Sequence, residues 1–138
     1  MTRAEPSHAA VEVGAELPPF TVVLTLQRLV MEAGANRDFS PWHFDPELAR
    51  TAGAAHAFAN TTLLETLLEA CIRSWAGLGP RLRVLEFAML RPSCAGQELS
   101  AAGVVTAKHD GEPPTVDVDV WIDADGRRTV QGSAVLAF

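Results

Sequence analysis

The chain has 138 residues, enough for one domain with a sizeable core but too few for two. A composition of 48% apolar and 20% charged residues is typical of a globular protein and excludes a disordered or fibrous chain. The formal net charge of −6 argues against nucleic-acid binding, and no apolar run approaches the roughly 18 residues of a membrane span, so we expect a cytoplasmic protein that binds neither nucleic acid nor membrane.

The first third of the chain predicts an arm, a strand, a helix and a loop. Residues 1–14 are rich in alanine and show no period of 2 or 3.6, which predicts a flexible arm ahead of a domain over 15–138. Two prolines followed by β-branched residues predict a strand over 17–24. Apolar residues on one helical face predict a helix over 25–35, and a proline-containing loop follows over 36–44.

Two further helices are predicted from their caps and their periodicity. Asp45 before a proline predicts an N-cap and a short helix over 46–51. Thr62 with Glu65 three residues later resembles a capping box and predicts a long helix over 62–76. The apolar residues of this helix recur at helical spacing over a wide face, so it should be buried; they are Leu63, Leu64, Leu67, Leu68, Cys71, Ile72 and Trp75.

The rest of the chain predicts strands joined by short turns. The predicted strands cover 81–91, 98–108, 116–123 and 129–138. The Asp-Gly pairs at 110–111 and 125–126 are hairpin signals. Because no helix separates the last four strands, a parallel α/β fold is excluded. The pattern predicts an α+β fold in which an antiparallel sheet of about five strands curls around the one long helix.

An acid and an imidazole lie close together in the predicted loop after the first helix. Asp38 and His43 flank Pro41, which stiffens the loop. A loop can direct both side chains at one point, which suits acid-base chemistry. As a bare pair, however, an Asp and a His in a loop are more often part of local turn and cap structure.

The segment Asp38-x-Ser40-Pro41-x-His43 resembles the Asp-x-Asn-Pro-x-His motif of the MaoC-like, or R-specific, enoyl-CoA hydratases. The resemblance continues through 44–50 and through Asn60 and Thr61, and it extends loosely over 15–138. It implies a hot-dog fold and an enzyme, a lyase that adds water to an enoyl thioester or removes it from a 3-hydroxyacyl thioester. No cofactor is implied.

The resemblance also implies roles for individual residues. In that family the Asp and the His hold the water that adds to the β-carbon, so Asp38 and His43 are the expected catalytic residues. Hydration needs proton transfer to and from the reacting atoms and donors for the enolate oxygen, and the N–H groups at the start of the long helix are candidate donors. The expected oxyanion and substrate-binding residues are Asn60, Thr61, Ser40 and Trp42.

Two departures from the family pattern bear on assembly. Ser40 stands where the family usually has Asn, and segment 56–61, which ends in Ala-Phe-Ala-Asn-Thr, falls where many members have Ala-His-Gly. The Asn-Thr form resembles the small subunits of heteromeric hydratases that act on steroid side-chain thioesters, whose pocket is completed by a second hot-dog subunit. We therefore expect a homodimer or a heteromer, with a substrate carried by coenzyme A or by an acyl carrier protein.

Two other functions remain open on the sequence. A hot-dog acyl thioesterase would usually place its acid on the long helix, where Glu65 and Glu69 are available, although the capping box already explains Glu65. A non-catalytic acyl-binding subunit of a heteromeric hydratase would only shape the pocket for its partner. The presence of both Asp38 and His43 counts against that second alternative.

Simpler structural explanations cover the remaining histidines and the cysteines. His56 is expected as a turn residue before the helix, and His8 and His109 receive no role. Cys71 and Cys94 are expected as idle thiols in a reducing compartment. These residues do not form a metal-ligand spacing, so no metal is predicted.

Charged residues on the predicted sheet and helix suggest no further site. Asp117, Asp119 and Asp123 alternate with apolar residues, which indicates a solvated sheet face and not a cation site. Trp75 is expected in the helix core. The candidate partners for the phosphates of coenzyme A are Arg73, Arg81, Arg83, Arg91 and Lys108, and the sequence does not choose among them.

Overall fold

The computed structural model describes residues 5–138. In this part of the chain the α-helices are α1 (Leu26–Asn36), α2 (Pro46–Thr51) and α3 (Thr61–Ala76), and the strands are β1 (Glu16–Val23), β2 (Arg81–Met89), β3 (Glu98–His109), β4 (Thr115–Ala124) and β5 (Arg127–Ala137). Short 3₁₀ turns lie at His8–Ala10 and Pro41–His43. Across these residues, no helix combines the length and the apolar character needed to cross a membrane.

The five strands form one antiparallel sheet in the order β1-β3-β4-β5-β2. β4 and β5 are joined by a two-residue turn in which Asp125 and Gly126 both have positive φ, at 49° and 79°. This conformation suits the Asp-Gly pair and matches the twist of the flanking strands. In this order β1 and β2 form the two edges of the sheet. The three α-helices lie between these two strands in the chain.

The core lies between α3 and one face of the sheet. α3 packs against β1, β3 and β4, and its side chains Leu64, Leu68 and Ile72 are fully buried. The alternate residues of β4 are equally buried, namely Val116, Val118, Val120 and Ile122. Burying one such side chain contributes about 1.5–3 kcal/mol, so the core fixes the position of α3 and of its N-terminus.

The predicted α+β class and its antiparallel sheet around one long helix are confirmed, with one correction at the start of α3. The capping box of Thr62 and Glu65 is wrong because both residues are exposed and the N-cap is Asn60, whose Oδ1 accepts from the Leu63 N–H at 3.0 Å. Asn and Thr are both preferred N-caps, so local preference does not decide between them. Asn60 is buried and bonded to another loop, and this tertiary contact sets the helix start.

The predicted arm is in contact with the domain where it is described. Residues 1–4 lie outside the described residues. Val11 is only 4% exposed and its carbonyl accepts from Lys108 Nζ at 2.6 Å. The N–H of Gly14 donates to the carbonyl of Val105 at 2.8 Å. The end of the arm therefore packs on β3, although the division into arm and domain stays a prediction.

Gly132 of β5 should be necessary for the close approach of β2. A Cβ placed on Gly132 would lie 2.0 Å from the Glu86 carbonyl oxygen, so β2 would have to move. We expect Gly132→Ala to lower the free energy of unfolding by about 1–3 kcal/mol. Gly34→Ala is the matched control, because a Cβ there meets nothing within 4 Å. It should raise stability by about 0.5–1 kcal/mol.

Urea denaturation of both variants measures these changes. A Gly132→Ala variant as stable as the parent would show that β2 and β5 are not held this close together.

Candidate functional site

The loop carrying Asp38 and His43 is tied to the fold at both ends. α1 ends at Arg37, which has the left-handed conformation with φ 56°, and the next N–H, of Asp38, donates to a carbonyl in the last turn of α1 at 3.0 Å. At the other end, the N–H of Phe58 donates to the carbonyl of Trp42 at 3.2 Å. These backbone contacts place the loop against the segment that leads into α3.

Asp38 is held as a carboxylate by two donors. Its Oδ2 accepts from the side-chain amide of Asn60 at 2.9 Å, and its Oδ1 accepts from the N–H of Ser40 at 3.3 Å. The bond from Asn60 is the largest effect on the pKa of Asp38 and lowers it. Burial opposes this effect, Ser40 and His43 add to it, and the net pKa lies below the ordinary value. Asp38 is thus an acceptor at neutral pH.

His43 is buried and its ring orientation is fixed by the backbone. Its Nδ1 lies 2.8 Å from the carbonyl oxygen of Phe58. A carbonyl only accepts, so Nδ1 carries the hydrogen of this bond. The other ring nitrogen, Nε2, lies 3.5 Å from Asp38 Oδ2. Nε2 is therefore the ring nitrogen that faces Asp38 and is free of the bond to the backbone.

Asn60 connects α3 with the loop that carries Asp38 and His43. Its side chain is 4% exposed and both ends are used, with Oδ1 capping α3 and Nδ2 donating to Asp38. Thr61 follows as the first residue of α3. The N–H groups in the first turn of a helix lack acceptors within the helix, so this end of α3 carries donors and a partial positive charge.

All six residues predicted for the site lie in these two segments. Besides Asp38, His43 and Asn60, the N–H of Ser40 contacts Asp38 as described. Trp42 is 41% exposed, and its ring lies edge-on to that of His43 with centroids 6.4 Å apart. Thr61 is exposed, with Oγ1 3.9 Å from the sulfur of Met89. The roles of these residues stay predictions.

An apolar groove of about 320 Å³ begins beside the start of α3. Six of its lining residues are Phe58, Ala59, Leu64, Met89, Leu90 and Arg91. We call it the apolar groove. Met89 and Leu90, at the end of β2, are 54% and 45% exposed, so the groove is open on the side of this edge strand.

Two of the other histidines and two of the β4 aspartates have local partners. Nε2 of His109 lies 2.8 Å from Asp117 Oδ2, and Arg128 donates to Asp123 at 2.5 Å. Nε2 of His8 lies 3.3 Å from a backbone carbonyl of β4. Within residues 5–138 no group of three or more metal-ligating side chains forms.

The two cysteines and Trp75 are part of the interior. Cys71 and Cys94 are buried free thiols, and burial raises the pKa of Cys71 to about 11. Because the thiolate is the reactive form of cysteine, a raised pKa makes Cys71 unreactive. Trp75 packs in the core cluster, as its position in the helix pattern predicts.

Two contributions to the site were not predicted from the sequence. The first is the carbonyl of Phe58, which orients His43; a backbone group carries no signal in the residue type. The second is the side chain of Asn60, since only its backbone was considered as a donor. The one available signal was that an amide both donates and accepts, so an N-cap Asn keeps a free donor.

No family model matches the chain. Over 99 residues, 72% of this chain and 77% of the relative, it is 29% identical to the 3-oxo-4,17-pregnadiene-20-carboxyl-CoA hydratase beta subunit of Mycobacterium tuberculosis. One chain of the ChsH1–ChsH2 complex from Mycobacterium tuberculosis matches with a TM-score of 0.84 and 26% identity, over 92% of this chain and 98% of that chain. A MaoC-like dehydratase matches with a TM-score of 0.87 and 26% identity, over 96% of this chain and 42% of that chain.

The chain is similar in sequence to MaoC-like hydratases and dehydratases and shares their fold. The predicted hot-dog fold is thereby confirmed, and the similarity supports the family predicted from the loop motif. The similarity to a hydratase subunit and to a dehydratase supports hydratase chemistry at the level of the family.

Asn60→Ser separates the two contacts of the Asn60 side chain. Ser is also a preferred N-cap, so α3 should still begin correctly, but a serine side chain is too short to reach Asp38. Because the amide is the largest cause of the lowered pKa of Asp38, we expect this pKa to rise toward its ordinary value. Carboxyl ¹³C NMR over a pH series measures the change.

Asn60→Asp is the matched variant that keeps the size and the cap but places a second carboxylate beside Asp38. It should raise the pKa of Asp38 further than Asn60→Ser does. Because the pKa of Asp38 is lower in the folded than in the unfolded chain, its ionisation stabilises the fold at pH values above the unfolded pKa of about 3.9. This contribution is lost as the pH falls through the pKa of the folded state. An Asp38 titration that is unchanged in Asn60→Ser would contradict the assigned role of the amide.

Proposed function

We propose that this chain adds water to an enoyl thioester, or removes it from a 3-hydroxyacyl thioester, with Asp38 and His43 activating the water. The observation that carries the proposal is the 3.5 Å separation of Asp38 Oδ2 and His43 Nε2. Asp38 is an acceptor because its pKa is lowered. Neutral His43 is an acceptor at Nε2 because its hydrogen lies on Nδ1.

Two acceptors at this spacing suit one water molecule. A water oxygen at about 2.8 Å from both atoms would donate one hydrogen to each, leaving its lone pairs for the β-carbon of the substrate. As the new C–O bond forms, Nε2 takes one proton, and Asp38 stabilises the resulting imidazolium. That proton is the one the α-carbon then needs, so water is added across the double bond without a net change at the enzyme. Dehydration is the reverse.

The start of α3 would stabilise the other end of the reacting system. Negative charge builds up on the thioester oxygen as water adds, and donors fixed in advance lower its energy. The N–H of Leu63 is already used by the Asn60 cap. We therefore assign the oxyanion contact to the N–H groups of Asn60 and Thr61, where the partial positive charge of the helix end acts in the same direction.

The two alternative functions have less support. From the sequence, the capping box explained Glu65 and so counted against it as a thioesterase acid. Glu65 does not cap α3, so that reason does not hold, but its side chain is exposed to solvent. Glu69 forms an ion pair with Arg73 at 3.4 Å. Neither acid is directed at the Asp38 site, which disfavours the thioesterase. The hydrogen bonds that hold Asp38 and orient His43 disfavour a subunit that only binds the acyl group.

A second hot-dog subunit would complete the substrate site. Within residues 5–138, β2 pairs with β5 and has no strand on its other side. Val84 and Met89 of β2 and the following Leu90 are exposed at this edge, where the apolar groove is open. Edge strands with free backbone groups readily pair with another strand. The similarity to a hydratase beta subunit and to a chain of a two-protein complex favours a different hot-dog partner over a second copy. The thioester carrier would be coenzyme A or an acyl carrier protein.

Removal of either catalytic group should stop turnover. Because both groups act on one water, Asp38→Asn and His43→Ala should each lower kcat for enoyl thioester hydration by about 100-fold or more, and the double variant should be little worse. The absorbance of the enoyl thioester measures the rate, with the chain assayed alone and with its partner.

The contact between His109 of β3 and Asp117 of β4 supplies the matched control, since Asp117→Asn and His109→Ala change the same residue types in a pair outside the site. Both should leave kcat within about twofold, because surface ion pairs contribute little. Near-normal turnover in Asp38→Asn or His43→Ala would contradict the assignment of that residue.

Assembly should depend on the β2 edge. We expect the purified chain to be a dimer or larger, and to hydrate bulky enoyl thioesters poorly until its partner is added. Val84→Arg should weaken association because it places a charge on the pairing edge, while Val23→Arg on the other edge strand should not. Light scattering measures both effects. A monomer that is fully active alone would exclude a shared site.

A further inference from the structure

A second cavity, of about 390 Å³, lies next to the apolar groove. Six of its lining residues are His56, Arg91, Cys94, Gln97, Arg127 and Thr129. We call it the arginine cavity. It shares Arg91 and Pro92 with the apolar groove, so the two form a continuous surface from the start of α3 to the β4–β5 turn.

The arginine cavity has an unusual charge for this chain. Acidic residues outnumber basic ones by 17 to 11, yet no Asp or Glu lines the cavity. Among residues 5–138, Arg50, Arg73 and Arg128 each form an ion pair, whereas Arg91 and Arg127 form none. Arg91 donates one N–H to the backbone carbonyl of Arg128. A guanidinium has five N–H donors, so both groups keep donors that suit an anion.

His56 adds a neutral donor to the same wall. The N–H of Ala57 donates to His56 Nδ1 at 2.9 Å. Nδ1 is therefore the acceptor nitrogen, and in the neutral ring the hydrogen lies on Nε2. An imidazole in this tautomer offers an N–H and not a metal-binding lone pair at Nε2. Arg91, Arg127 and His56 therefore offer hydrogen-bond donors to the cavity, which suits an anion.

We propose that the arginine cavity binds the phosphate at the end of the pantetheine arm that carries the thioester. The proposal rests on the proposed function, because it takes a thioester as the substrate. The acyl group and thioester would lie by Asp38 and the apolar groove, the arm would pass Arg91, and its phosphate would meet Arg91, Arg127 and His56. Of the five cationic residues considered from the sequence, Arg91 is the one that lines this cavity, and Arg127 was missed because it follows a turn.

The direct test measures binding without turnover. Isothermal titration of the full chain, alone and with its partner, would use 4′-phosphopantetheine and pantetheine, which differ by the phosphate alone. We expect 4′-phosphopantetheine to bind about tenfold or more tightly than pantetheine, since charge-assisted bonds to a phosphate are strong. Equal binding of the two compounds would overturn the proposal.

The variants test the cavity itself. Arg127 is exposed and should be replaceable without loss of the fold, so Arg127→Glu should weaken binding of 4′-phosphopantetheine by about tenfold or more and leave pantetheine binding unchanged. Arg81→Glu is the matched control, an exposed arginine at the other end of the sheet, where β2 begins. Equal losses in both variants would show a general effect of charge and would overturn the assignment.

The two sources of the phosphate can then be compared. Coenzyme A and a loaded acyl carrier protein share this phosphate, so both should bind more weakly to Arg127→Glu, and the tighter ligand of the parent chain identifies the carrier. In the assay, Arg127→Glu should raise KM for an enoyl-CoA and keep kcat. An unchanged KM in an active enzyme would overturn this proposal alone, whereas absence of turnover with phosphate binding intact would overturn only the proposed function.

Discussion

The side-chain amide of Asn60 is the contact on which the geometry of the site depends. It accepts from the Leu63 N–H through one atom and donates to Asp38 through the other, so capping of α3 and positioning of the carboxylate occur together. α3 is itself fixed by the burial of its leucine face against the sheet. The position of Asp38 is therefore set by the hydrophobic core through a single side chain, although Asp38 lies in an irregular loop. A loop held in this way loses little precision to its own flexibility.

The same short segment also holds His43. The carbonyl of Phe58 lies two residues before Asn60 and accepts from the imidazole, so Asp38 and His43 are both positioned by one stretch of backbone. That stretch is anchored in turn, because the N–H of Ala59 donates to the Ser93 carbonyl and the carbonyl of Ala57 accepts from the Ala95 N–H. The separation of Asp38 and His43 is consequently a property of segment 57–60 and of segment 93–95, to which it is hydrogen-bonded, and not of the loop alone.

The parts of the fold that were predictable are those in which burial imposes a period. The leucine stripe of α3 and the alternation along β4 each reflect one buried face, and the cap of α2 at Asp45 is a local preference that no other contact opposes. The start of α3 was not predictable on this basis, because Asn60 and Thr62 are both good caps and the choice depends on Asp38, which is distant in sequence. Asp38 and His43 were identified through a motif, while the contacts that orient them involve a backbone carbonyl and a long-range amide, for which periodicity gives no signal.

The local distribution of charge is a better guide to what the chain binds than its net charge is. A charge of −6 argues against a polyanion, which must meet a wide basic surface. A single phosphate requires only a small basic surface, because at physiological ionic strength the charges more than about 8 Å from it are largely screened. Some of the acidic residues are also neutralised locally, as Glu69 is by Arg73 and Asp123 by Arg128. Asp38 and His43 on one side, and the guanidinium groups of the arginine cavity on the other, would then orient an asymmetric substrate. Its reacting carbons would lie toward Asp38 and its anionic end away from it.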